Sequence, residues 1–279
     1  MSSINMKKAF SFGVLGALAI TFAGASHARP ASELVKSGSE RDKAEALVKE
    51  LAARNVGYHD FQGAVDMTLR DACGSEAHRR FSLKVLERPS ANVGDQVLIV
   101  FDAPADVKGT ALLSHTKVDE DDEQWVYLPG TKRVKRIAAS NKSSAFAGSE
   151  FTYEDLSGSE VRKYEWKLLG TAPCSQGQCF RLEATPKDKG SAYSKRVLAL
   201  DTEELRVVAT EFYDRAGAKV KTLAYDGYTK LGGKFWRAQT WTMTNHQSQK
   251  STVLAFSKLA VQSGLSPAEF SAGKLGDGR

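Results

Sequence analysis

The sequence is poor in the residue patterns that usually mark chemistry. It holds five histidines in 279 residues. Of these, His59, His78, His115 and His246 each stand alone on a turn or strand, with no cysteine or second histidine at metal-ligand spacing. No metal site is therefore expected. There is no glycine-rich phosphate loop and no Gly-x-Ser-x-Gly elbow, which removes the common signatures of nucleotide enzymes and of α/β-hydrolases. No residue is singled out as catalytic and no cofactor is implied; dispersed Ser, His and Asp leave an unrecognised hydrolase as the weakest reading. Basic stripes interleaved with aromatics are missing too, so no nucleic-acid partner is expected.

Cysteine is almost absent, at three residues. Cys174 and Cys179 flank Ser175-Gln176-Gly177-Gln178, a polar turn between two expected strands, and such a short loop suits a disulfide in an oxidising compartment. The alternative, a metal clip, lacks further ligands nearby. Cys73, beside Gly74 in another turn, is left as a free thiol with no chemistry assigned.

Long apolar runs are confined to the start. Lys7 and Lys8 precede a nearly uncharged stretch from Ala9 to Ala25, and Ser26-His27-Ala28 offers small residues where a signal peptidase reads. The stretch is short for a membrane span of about 20 residues. Residues 1–28 are expected to be a secretory signal cleaved after Ala28, with no cysteine placed for acylation of the new terminus. The two lysines of that segment account for the fall in formal charge from +6 to +4. No later segment is apolar enough to span a bilayer, and 42% hydrophobic with 26% charged residues is the balance of a globular chain. Residues 29–279 are read as one domain.

Within it a helix comes first. Ser39 is a plausible N-cap, with Glu40 and Asp42 in the first turn, and Ala44, Leu47, Val48 and Leu51 make one apolar stripe. Asn55 and Gly57 end it. Strand follows strand thereafter: 61–70, 80–87, 96–102, 110–117, 123–128, 161–169, 179–185, 194–201, 205–214, 219–229, 234–244 and 251–261. Short turns such as Gly232-Gly233 leave no room for crossover helices, so the sheet is expected to be antiparallel. So many strands must curl or split. The expected class is α+β: a strongly curved antiparallel sheet of about 11–12 strands, a half-closed barrel with the helix at its mouth. A two-sheet sandwich stays open as the alternative.

The stretch from Thr131 to Ser159 breaks the alternation, being rich in Ser, Ala and Gly with Phe146, Phe151 and Tyr153 among them. A loop of that length is usually functional. At its start, Lys132, Arg133, Lys135 and Arg136 form the strongest basic cluster, which reads either as a contact for anionic headgroups or a partner, or as a charged guard on an edge strand. The acidic run Asp119 to Glu123 reads as a solvated turn.

Two segments are distinctive. Trp125-Val126-Tyr127-Leu128-Pro129-Gly130-Thr131-Lys132-Arg133-Val134-Lys135-Arg136-Ile137 is followed by Phe146-Ala147-Gly148-Ser149-Glu150-Phe151-Thr152-Tyr153-Glu154-Asp155-Leu156. Together they resemble the strand–turn–strand signature of the LolA-like outer-membrane lipoprotein-sorting family. Weaker matches follow at Cys179 to Ala184, Tyr193-Ser194-Lys195, Gly232 to Phe235, and Gly264 to Phe270.

The resemblance implies a LolA/LolB-like half-barrel with helices across its concave side and an apolar cavity for acyl chains. It implies a periplasmic, non-enzymatic carrier of lipoproteins or other acylated, hydrophobic ligands, delivering cargo towards the outer membrane or an export system. Trp125, Tyr127, Leu128, Phe146, Phe151 and Tyr153 become candidate cavity or gate residues, although the loop aromatics would serve equally to pin the loop to the core. The expected partners are lipoprotein acyl chains or lipid, an inner-membrane exporter and an outer-membrane acceptor, with the protein itself a monomer. A lipid sensor or adaptor of a membrane transport complex is the alternative.

Overall fold

The computed structural model describes residues 30–88, 93–118, 120–156 and 161–276. The expected signal at residues 1–28, Asp119 of the acidic run and residues 157–159 of the long loop lie outside them.

A short turn of helix, α1 (Ala31–Leu34), leads to α2 (Glu40–Arg54). Ser39 caps α2 as expected: its side chain accepts from the Asp42 N–H while the Asp42 carboxylate takes the Ser39 N–H. The strands are β1 (Asp60–Arg70), β2 (Glu76–Leu86), β3 (Val93–Ala103), β4 (Ala111–Lys117), β5 (Glu123–Leu128) and β6 (Arg133–Ile137). After the long loop come β7 (Tyr164–Cys174), β8 (Gly177–Pro186), β9 (Lys195–Asp201), β10 (Val207–Tyr213) and β11 (Lys219–Asp226). The last are β12 (Thr229–Leu231), β13 (Phe235–Arg237), β14 (Thr240–Asn245) and β15 (Ser251–Val261).

Thirteen of these form one sheet in the order β6-β5-β4-β3-β2-β1-β15-β14-β11-β10-β9-β8-β7, while β12 and β13 make a separate ribbon. The pairs within the sheet are antiparallel, so the single curved sheet replaces the sandwich alternative. The sheet does not close. Its two edge strands, β6 and β7, pair with nothing on their outer sides among the described residues. Between them the seam is bridged by side chains, with Lys163 Nζ 2.5 Å from Asp122 Oδ1 and a second ion pair between Lys142 and Asp188.

Thirteen strands exceed the expected 11–12 because β6 is a strand of its own beyond the Pro129 turn. The expected strand at 234–244 is also two strands. The backbone leaves the ribbon after Arg237, and Gln239 N–H bonds Asp226 O before β14 joins the main sheet.

Register follows the pleat. Across the sheet Leu182 faces Leu198, Leu223 faces Met243, Leu254 faces Met67, Val65 faces Phe81 and Ile99 faces Leu112. These residues line the concave face. Three elements cover it. The stripe of α2 packs through Ala44, Leu47 and Val48 against Trp166, Leu182 and Leu200 at the β7–β9 end. The loop after β6 drops Phe146 and Phe151 into the middle, among Val65, Met67, Phe101 and Leu254. The β12–β13 ribbon lays Phe235 on Tyr58 and Phe61. Opposite the bulge in β15, Gly63 of β1 allows the close approach, since a Cβ there would meet Leu259 Cδ2 at 2.5 Å.

Among the described residues the convex face is covered too, at the β2–β5 end. Buried Asp60 accepts from the N–H groups of Ser263, Gly264 and Leu265, turning the chain after β15 across the back of the sheet. Phe270 and Leu275 then bury against Leu86, Leu98 and Leu113.

Candidate functional site

The concave trough is filled at its centre and hollow under α2. The hollow has a volume of about 330 Å³ and is lined by Leu51 and Val48 of α2 and by Trp166, Leu198, Phe212 and Leu223 of the sheet. The stripe that holds the helix also supplies the roof, because Leu51, one turn beyond Leu47, is partly buried against the same cluster and lines the hollow above β9–β11.

The hollow adjoins a wider mouth of about 830 Å³, with Leu51, Asn55, Val207 and Tyr225 common to both. The mouth lies between the C-terminal end of α2 and the β12–β13 ribbon, with Trp236 and Trp241 on its walls. Tyr225 stands at the junction, where burial pushes its phenol up to about 12, so it is a neutral hydrogen-bonding group at ordinary pH.

The floor of the inner hollow carries a buried charge network. Arg196 bonds Glu154 at 3.2 Å and lies over the rings of Tyr164, Tyr193 and Phe212 at 5.5, 5.1 and 5.2 Å. Its Nε is buried without a hydrogen-bond partner. Asp155 accepts from Tyr193 Oη at 3.0 Å and has Lys221 Nζ 3.8 Å away. Glu154 also accepts from Ser191 Oγ and the Ala192 N–H. Glu154 and Asp155 belong to the long loop, so these contacts tie the loop to β9 and β11.

The candidate residues named from sequence divide among three places. Phe146 and Phe151 are buried in the trough, Phe151 with no exposed surface, and Tyr153 packs edge-on to Phe146 at 5.9 Å. Leu128 lies on the concave side of β5, opposite Arg133. Trp125 and Tyr127 point to the convex face, where they pack with Phe270 and Leu275 under the C-terminal turns. The structure therefore does not bring all six together.

Lys132 takes the left-handed conformation after the Pro129 turn, at φ 50°. Arg133 and Lys135 share one face of edge strand β6 and Arg136 the other, where it pairs with Glu123 at 2.9 Å. This cluster lies on the sheet edge and does not line the mouth under α2. Cys174 and Cys179 are disulfide-bonded at the tip of the β7–β8 hairpin, with Cα atoms 5.9 Å apart. Cys73 is an exposed free thiol.

Sequence reasoning missed the residues of the mouth: Arg206, Tyr228, Lys230, Trp236 and Arg237. They come from two turns and from β12 and β13, and the available signal, for all but Arg206, was the density of aromatic and basic residues from 225 to 241. Among the described residues no group of three or more His, Cys, Asp or Glu is placed to hold a metal ion. No described helix is long and apolar enough to cross a membrane.

Comparison with known proteins gives relatives of the same shape. A family model described only as an uncharacterized protein matches residues 94–277. A solved domain from Vibrio parahaemolyticus, provisionally assigned as an outer-membrane lipoprotein-sorting protein, is 42% identical, with 85% of this chain and 99% of that one covered at a TM-score of 0.82. A DUF1329-family protein from Desulfovibrio piger is 27% identical over 85% of this chain and 100% of that one, at a TM-score of 0.80. A LolA-superfamily protein from Nitrosomonas europaea is 20% identical over 82% and 97%, at a TM-score of 0.64, and shares the fold. No curated protein matches.

Proposed function

This chain belongs to the LolA-like family of outer-membrane lipoprotein-sorting proteins, and on that premise we propose that it is a periplasmic carrier which holds an acylated ligand under α2. The observation that supports this reading most is the hollow between α2 and the concave face, walled largely by aliphatic and aromatic side chains over a floor that holds Arg196 and Asp155, and open to a wider mouth. Each methylene moved from water into such a space contributes about 0.8 kcal/mol, so a chain is held by area without any specific polar contact. The volume of the two spaces falls in the range of ligand pockets.

In this account residues 1–28 are a leader removed on export, and residues 29–279 are the single carrier domain. The disulfide between Cys174 and Cys179 suits the oxidising periplasm. The loop after β6 acts as the gate. Phe146 and Phe151 fill the trough in the closed state, and their withdrawal would lengthen the hollow toward β1 and β2. Release needs such a second state, because affinity for one conformation cannot drive transfer. The exposed cations Lys132, in the turn before edge strand β6, and Arg133 and Lys135, on it, serve as the contact with an inner-membrane exporter or an outer-membrane acceptor. No residue is assigned a catalytic role.

The test is organic extraction and mass spectrometry of protein purified from periplasm without detergent. Bound acyl lipid is the expected result; protein that is empty and does not take up lipid when offered it contradicts the reading. The ion-paired anchoring of the loop by Glu154 and Asp155 favours a second reading, a sensor that keeps its ligand. A carrier delivers bound lipid to acceptor vesicles, and a sensor does not.

A further inference from the structure

The mouth of the cavity has a chemistry of its own. Arg54, Arg206, Lys230, Lys234 and Arg237 line it against only two acids, Glu50 and Glu204. Some of that charge is used internally. Arg54 pairs with Glu50 at 3.0 Å and Arg206 with buried Asp201 at 3.0 Å, while Glu204 accepts from the indole N–H of Trp236. Lys230, Lys234 and Arg237 have no carboxylate within ion-pair distance among the described residues. Lys230 touches only the Trp236 ring, at 4.8 Å; Lys234 reaches Val56 O at 3.3 Å; Arg237 donates to Asn55 Oδ1 at 2.7 Å and Trp236 O at 2.9 Å.

Arg206, 4.9 Å from the Trp236 ring, shares that ring with Lys230, and of the two Arg206 alone has a carboxylate partner among the described residues, Asp201. Arg237 is half-buried among Tyr58, Phe61 and Phe235, where burial pulls its pKa down from the usual value although a guanidinium stays charged. Cations brought together on aromatic rings beside an apolar hollow are matched by an anion with a greasy tail. Arg and Lys donors converging on one space suit the oxygens of a phosphate.

We propose that this mouth binds the phosphate of an anionic phospholipid while its acyl chains enter the hollow under α2. The proposal rests on the carrier reading and narrows it: the acylated N-terminus of a lipoprotein carries no phosphate and would leave these cations without a counter-charge.

The test uses short-chain lipids below their micelle concentrations, so that no membrane surface is present. Calorimetric titration of the full mature chain compares dioctanoyl phosphatidylglycerol, dioctanoyl phosphatidylcholine and glycerol phosphate. The phosphatidylglycerol is expected to bind roughly tenfold tighter than the phosphatidylcholine at low salt, with the gap closing as salt is raised. Lys230→Gln combined with Lys234→Gln should cut that preference by roughly fivefold. Both side chains are exposed, so the variant is expected to fold, and circular dichroism checks this. Equal affinity for the two lipids overturns the proposal and leaves the carrier reading standing. Binding of neither lipid overturns both. Glycerol phosphate binding as tightly as the lipid would reveal a free-anion site and overturn the lipid assignment.

Discussion

Phe151 has no exposed surface and shares a cluster with Val65, Met67, Phe101 and Leu254, all from the sheet beneath it. A residue in a loop without regular structure is thus part of the main core. Phe151→Ala should cost about 3–5 kcal/mol in a urea melt, the range for truncating a buried aromatic. A loss below about 1 kcal/mol would mean that the loop is only loosely seated. Asp95 gives a pH-dependent case. Burial raises its carboxyl above the ordinary 3.8, against the bonds it accepts from the Tyr58 hydroxyl at 2.5 Å and the Arg88 N–H at 3.1 Å. A raised folded-state pKa contributes stability that is complete below the unfolded value and disappears as pH rises through the folded one. Relative to wild type, Asp95→Asn should therefore gain stability as pH climbs from 3.8 through the acid range. Denaturant titrations at a series of pH values would read this, and a difference independent of pH would contradict it.

At the level of elements, the chain announces some structures clearly and hides others. Ser39 and Asp42 mark the start of α2 because a cap is a local contract between residues three apart. Most strands are equally plain, since a half-buried pleat imposes a period of two. The break between β13 and β14 is not, because Phe235, Arg237, Gln239, Trp241 and Met243 keep the alternation running through it. What ends β13 is the capture of the Gln239 N–H by Asp226 O, a contact set by the main sheet. The convex placement of Trp125 and Tyr127 was hidden for a related reason: the residues that cover them, Phe270 and Leu275, lie far away in the chain. The β7–β8 hairpin carries its own staple, closing a loop with a sequence separation of 5. Chain-entropy reasoning for so short a loop gives about 2 kcal/mol. Cys174→Ser with Cys179→Ser should lower stability by about that amount and spare the fold, as measured by chemical denaturation with and without reductant.

The whole molecule is a single open sheet whose concave side is covered by a helix, a loop and a ribbon drawn from three parts of the chain. The site arises where these coverings meet imperfectly. Its hollow is roofed by Leu51 above β9–β11, and its mouth is lined by side chains at 206, 228, 230, 236 and 237, gathered from the turn before β10 through β13. Isolated charges on strands read as solvated surface, so the cationic mouth could not be recognised before the ribbon was seen folded over the trough. The basic cluster at 132–136 was legible because its charges are adjacent in sequence, yet it lies elsewhere on the sheet edge.

The central claim is that the hollow under α2 receives an acyl chain. Ala52 lines that hollow and is itself an exposed residue of α2, so Ala52→Trp adds bulk at the hollow without displacing a buried residue. Equilibrium titration of a fluorescent long-chain acyl probe against wild type and this variant tests the claim directly. The account predicts saturable binding by wild type and a loss of about tenfold or more in the variant, with an unchanged melting temperature. Equal binding by both proteins, or none by wild type, would contradict it.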